Sequence, residues 1–328
     1  MLVAELMPVA IVATATLGMI LCYFSRTLAV LLDFLLAPCL ILMVFPAMIR
    51  LHFFKSFSFL RWGHGNLTSI VFNFVVIPLL LLLITKIFVL PMKDVSIGFV
   101  LVGLFPSTTF FLIWVDFAEG NRNLATQYLL WNALLQIILV PLWIYVLLGT
   151  SVFVDYRVMF NMVLWYVFVP FVVAWAVTQF FVKRKGYQWF ANQLIPRLDK
   201  MQVIALLGAV LSIFGYRGSL ILEFPDIIWM ITPATMFYFA ILLAILMAFI
   251  RWRQITADVS IPLIFSAMTR NFTVAFLVAS VMFADFPLAK AITLLVPLIE
   301  IPLMLILSLL FRALKPYLFK ADFKLHPV

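Results

Sequence analysis

The chain has 328 residues, of which 66% are hydrophobic and only 11% charged, with a net charge of +9 and a mean hydropathy of +1.21. Soluble domains carry about 25% charged residues, so the surplus apolar side chains must face lipid, and a water-soluble enzyme or receptor domain is excluded. The positive balance does not call for nucleic acid, because basic residues of membrane proteins collect in cytoplasmic loops.

A helix needs roughly 20 apolar residues to cross the hydrocarbon. By that ruler the chain reads as ten spans, at 3–23, 28–48, 67–90, 96–116, 125–149, 159–182, 201–221, 228–250, 259–283 and 288–312. The opening MLVAELMPV lacks the basic n-region of a secretory signal and reads as the first span. Fifteen Lys and Arg residues fall on the side shared by both termini and six on the other, which predicts cytoplasmic termini in a multi-pass protein of the cell membrane. Cys22 and Cys39 lie in apolar spans and read as packing residues. His52, His64 and His326 lie outside the spans without ligand spacing, so neither a metal nor a cofactor is expected.

The basic connection KRKGYQWFANQLIPRLDK (183–200) follows span six. The expected organisation is an all-α membrane protein of two five-helix repeats, residues 1–150 and 151–312, with a cytoplasmic tail over 313–328. A repeat with an odd number of spans enters the membrane from opposite sides, which is the inverted-repeat plan of many secondary transporters.

Spans four and nine hold the same place in each half, and both are interrupted. Span four carries Pro106-Ser107-Thr108-Thr109, and span nine carries Ser266, Thr269, Arg270, Asn271 and Thr273 near its middle. Irregular backbone at membrane depth survives only where protein or a water-filled cavity shelters it, and matched breaks point to a midplane binding site. Asn73, Asn132 and Gln136 add amides at similar depth, and Glu300 lies between Pro297 and Pro302 in span ten. A charge near a helix centre costs about 2.5–3.5 kcal/mol on insertion scales, so an Arg270–Glu300 pair, direct or through water, is the simplest resolution. Two roles stand open for it, a structural pair or a proton-linked switch.

Several segments together resemble the arsenite-efflux permease family, within the superfamily that includes bile acid:sodium symporters. These are FPAMIRL (45–51), NFVVIP (73–78), GLFPSTTFFLIWVDFAEGN (103–121), NALLQI (132–137), TRNFTVAFLVA (269–279) and VPLIEIPLML (296–305). The resemblance implies the symporter-like fold, with spans four and nine broken and crossing, and transport by alternating access in which one bundle rocks against the crossing. The chain departs from the family at the site. The cysteine of the arsenite permeases is Ser107 here, and a hydroxyl is a poor ligand for a soft metalloid. The positions that would hold sodium fall on Phe111, Leu112, Ser266 and Arg270, and a guanidinium offers a cation no lone pair.

The residues therefore predict a sodium-independent secondary transporter. Its expected partners are the bilayer, a small-molecule substrate and protons. Pro106, Ser107, Thr108, Thr109, Asn73, Asn132, Gln136, Thr269, Arg270, Asn271 and Thr273 are expected at the substrate, with Glu300 and Arg270 carrying charge relay. Two substrate classes stand side by side: an arsenite-like metalloid, favoured by the resemblance, and a small organic anion, favoured by Arg270 and the missing thiol. An intramembrane enzyme would need a catalytic pair at depth, and Asp33 and Asp116 have no partner visible in the sequence.

Overall fold

The structure is a computed structural model that describes residues 2–25, scattered positions between 27 and 49, and residues 64–87, 93–106, 110–148, 169–223, 225–283 and 285–319. Most of the second expected span, the start of the sixth, the Ser107–Thr109 triplet and the end of the tail lie outside the described residues. Every regular element among the described residues is helical. Among the described residues, four helices are long and apolar enough to cross a membrane unaided: Gly65–Ile87, Asn192–Tyr216, Trp229–Arg253 and Leu295–Leu318. A fifth candidate, Arg122–Leu148, bends by 59° between Gln136 and Ile138. Pro141 explains the bend, because its missing N–H leaves the carbonyl four residues earlier, at Ile137, without its helical donor. Large apolar side chains point outward, as at Ile138 and Ile204, about 70% exposed, while the buried set includes asparagine, glutamine, arginine and glutamate. That inversion of the soluble pattern is what a lipid surround selects. Trp229 and Trp252 are exposed near opposite ends of one helix, about 35 Å apart at helical rise, the spacing of two interfacial aromatic belts.

The chain forms two compact units. The first comprises Met1–Arg61 and Asp155–Met230. It contains α1 (Leu2–Phe24), α7 (Val169–Trp189), a π-helical turn (Phe190–Leu194) and α8 (Ile195–Glu223). The basic connection is thus helical, redirected at Gly186, whose φ of 79° suits a residue without a Cβ. α1 packs along α8. A Cβ on Gly18 would come within 2.9 Å of the Gly215 nitrogen and the Leu211 oxygen, so this approach tolerates only glycine, in the manner of small-residue contacts between membrane helices. Cys22 and Cys39 are buried thiols, and Cys39 packs against Gly208.

The second unit comprises Trp62–Val154 and Ile231–Val328. Here α2 (His64–Val71), a π-helical turn (Phe72–Val76) and α3 (Ile77–Ile87) run on as one rod. Pro78 deprives the Phe74 carbonyl of its helical donor, and the Trp143 indole N–H donates to that oxygen at 2.7 Å. There follow α4 (Lys93–Leu104), α5 (Phe110–Phe117), α6 (Arg122–Leu148), α9 (Pro225–Arg253), α10 (Ala257–Met268), α11 (Phe272–Met282) and α12 (Pro287–Leu318). α9 begins in the first unit and continues into the second. α5 ends with Glu119 in the left-handed region and the Gly120 N–H on the Val115 carbonyl at 2.8 Å, a Schellman stop. Arg312 and Lys315 of α12 hold that turn through the Glu119 carboxylate, at 2.9 Å, and the Glu119 carbonyl, at 3.0 Å.

Candidate functional site

Helices of 12 residues, such as α4 and α10, are about 18 Å long and cannot alone cross a 30 Å hydrocarbon core. Each is continued by a second short helix, α5 or α11, after an irregular stretch. In α4–α5 the stretch opens at Phe105 and Pro106, both buried, with Pro106 removing the donor for the Val102 carbonyl. In α10–α11 it is Thr269-Arg270-Asn271, with Thr269 extended (φ −84°, ψ 133°). The two stretches touch through main chain, because the Asn271 N–H donates to the Phe105 carbonyl at 3.0 Å. A carbonyl of one broken helix thus meets an amide of the other, which is how such backbone is satisfied inside lipid.

Arg270 is fully buried. Its guanidinium donates to Asn73 Oδ1 at 3.0 Å, to the Gly103 carbonyl at 3.3 Å and to the Ser266 carbonyl at 3.5 Å. Gly103 lies in the last turn of α4 and Ser266 in the last turn of α10. The cation therefore sits at the negative ends of two half-helix dipoles. Glu300, from α12, accepts the Arg270 main-chain N–H at 2.9 Å, just ahead of α11, so the anion sits at a positive helix end. Among the described residues these two are the only Arg, Lys, Asp or Glu side chains that are buried. Their hydrogen bond runs through the Arg270 amide, and Glu300 Oε2 has no hydrogen-bond partner.

Ser266 ties three helices together. Its hydroxyl receives Asn132 Nδ2 at 2.9 Å and Asn73 Nδ2 at 3.4 Å, and shares a hydrogen with Ser69 Oγ at 3.2 Å. Asn73 Nδ2 also reaches back to the Ser69 carbonyl at 3.0 Å. Asn73 lies in the π-helical turn, a local geometry common at functional sites. With its amide turned this way, Asn73 Oδ1 is left to face the guanidinium.

Of the residues singled out in the sequence, Asn73, Asn132, Arg270 and Glu300 are joined directly or through Ser266. Asn271 caps α11, its Oδ1 accepting the Val274 N–H at 3.2 Å. Thr269 and Gln136 are buried, with Oγ1 and Oε1 unpartnered. Thr273 stands in the first turn of α11, its side chain outside the described set, as are Ser107, Thr108 and Thr109. Sequence reasoning passed over Ser69 as a site residue and gave Ser266 no place among the substrate contacts. Each precedes a recognised polar residue by four positions, Ser69 before Asn73 and Ser266 before Arg270, which puts it on the same helix face. No cluster of three or more His, Cys, Asp or Glu able to hold a metal occurs among the described residues.

A buried polar meeting point of two broken helices, wrapped in apolar helices, fits a membrane transporter. The chain belongs to the Sodium Bile acid symporter family, which matches over residues 37–224, more than half its length. It is similar to an uncharacterized transporter of Synechocystis, at 23% identity across 83% of this chain and 76% of the relative. It is also similar to the arsenical-resistance protein Acr3 of Alkaliphilus metalliredigens, at 25% identity across 81% and 78%, and to Acr3 of Corynebacterium glutamicum, at 22% across 86% and 79%.

Proposed function

We propose that the protein is a secondary-active transporter of the cell membrane that works by alternating access, independently of sodium and coupled to protons. The observation that carries this reading is the pair of broken helices joined at Asn271 and Phe105, with the Arg270 guanidinium resting on carbonyl and amide oxygens beside them. Carbonyl oxygens at the C-terminal ends of half-helices are a natural seat for a coupling cation. A tethered guanidinium resting on them repels a mobile one, and Glu300 becomes the group able to take up and release a proton. Alternating access needs two bodies, and each compact unit draws on both halves of the chain. The first takes the residues of expected spans one, two, six and seven, and the second most of the rest. This interleaving favours two inverted repeats, 1–150 and 151–312, and the Lys and Arg distribution favours cytoplasmic termini.

The substrate reading is an arsenite-like oxyacid, supported by the two arsenical-resistance relatives. A small organic anion is the second reading, favoured by the buried cation. Both are tested in membrane vesicles given arsenite or a small carboxylate, with an imposed proton gradient, in sodium or in choline. The expected result is gradient-driven flux that is equal in the two salts. Flux that requires sodium would overturn the reading of Arg270.

A further inference from the structure

Beside the meeting point of the broken helices, the second unit holds a partly open cavity of about 10 Å³, the space one water needs. Its polar lining comes from Arg270, Thr235, Tyr238 and Gly103, and apolar side chains such as Leu81 and Phe99 close the remainder. Thr235 and Tyr238 stand three residues apart on α9, hence on one face, and both are buried to within 3%. Phe99 meets the Tyr238 ring edge-on at 6.0 Å and fixes its position. Tyr238 Oη, Thr235 Oγ1 and Arg270 Nε are all buried without a hydrogen-bond partner. Three residues lining one small cavity thus each carry an orphaned polar atom, costly at about 1–3 kcal/mol each, and such a group in a native protein calls for a reason.

The donor set narrows what can fill the space. The Nε–H can only donate, while the two hydroxyls can donate or accept. A hydrated cation is excluded by charge and by size. A single oxygen fits, whether a water, a hydroxyl or one oxygen of an anion. We propose that Tyr238, Thr235 and Arg270 Nε form a subsite that receives one oxygen of the transported oxyacid, and that Tyr238 and Thr235 are substrate-positioning residues. This rests on the transporter reading for the source of the ligand. The shared chemistry is an oxygen that accepts from a guanidinium N–H, supplied either by a neutral hydroxyl acid or by a carboxylate.

The test exploits the cost of unpaired hydroxyls. If Tyr238 and Thr235 merely line a structural pocket, Tyr238→Phe and Thr235→Val remove orphaned groups and leave ligand binding untouched. If they bind substrate, the variants are as stable as the wild type or more so, yet bind more weakly. Purified full-length protein in detergent is titrated with arsenite and, separately, with acetate, following the rise in Tm. The expected result is a rise with at least one probe in the wild type and a Kd about fivefold or more weaker in each variant. Response to arsenite alone identifies a hydroxyl ligand, and response to acetate alone a carboxylate. No response of the wild type to either probe, or unchanged Kd in the variants, overturns the subsite. Vesicle flux measured alongside separates the two ideas. Binding without flux strikes the transporter reading alone, and flux with unchanged variant Kd strikes the subsite alone.

Discussion

Arg270→Ala is expected to abolish transport and to destabilise the protein by about 3–5 kcal/mol, the range for removing one partner of a buried charge pair. Two effects add. Asn73 Oδ1 and the Gly103 carbonyl lose the donors that satisfy them, at about 1–3 kcal/mol for each orphaned group. The Glu300 carboxylate loses the only buried Arg or Lys side chain among the described residues. Arg270→Lys keeps the charge but replaces the planar fork with a compact ammonium. It is expected to recover most of the stability and only a small part of the flux. Thermal unfolding in detergent and vesicle flux separate these effects. Full activity in a well-expressed Arg270→Ala protein would remove the guanidinium from the mechanism.

Glu300→Gln is expected to lose proton coupling at a stability cost smaller than that of Arg270→Ala, because the guanidinium left without its counter-charge still rests on the Gly103, Ser266 and Asn73 oxygens. Glu300 Oε1 accepts the Arg270 amide hydrogen, and the glutamine carbonyl oxygen can accept the same bond. The variant removes the titrating group while keeping the main-chain anchor. Exchange of substrate across the membrane should continue, and acceleration by an imposed proton gradient should vanish. Glu300→Ala, which deletes the acceptor as well, should be destabilised by about 1–3 kcal/mol relative to Glu300→Gln. A Glu300→Gln protein that still responds to the gradient would assign proton carriage elsewhere.

Much of this arrangement is legible in the amino-acid sequence because lipid imposes strong rules. Twenty apolar residues in a row place the helices, and the described helices overlap the expected spans to within a few residues at most ends, as with Pro225–Arg253 against 228–250. Proline and polar residues in the middle of such a run mark the breaks, and a buried arginine and glutamate stand out in a chain with few charges. What the sequence hides is contact between distant segments. Serine is common in helices, and the four-residue spacing of Ser266 to Arg270 does not reveal that it is the meeting point of Asn73, Asn132 and Ser69. Tyr238 reads as one more aromatic in an apolar helix until Thr235 and Arg270 are placed around the same cavity. The interleaved units are hidden for the same reason, since the basic connection suggests a cut between halves whereas packing pairs pieces of both.

The most direct measurement of the central claim is a cross-link between the two broken helices. The 3.0 Å bond from the Asn271 amide to the Phe105 carbonyl brings the two backbones close enough for a disulfide, whose Cα atoms lie about 4.4–6.8 Å apart. Phe105→Cys combined with Asn271→Cys, in a chain whose native Cys22 and Cys39 are changed to serine, should oxidise readily in membranes to an intrachain disulfide that reductant reopens; both positions belong to the second unit, so the bond tests their contact and not the motion of one unit against the other. Free thiols at both positions after oxidation, in a protein that expresses and unfolds like its cysteine-free parent, would mean that the helices do not meet there.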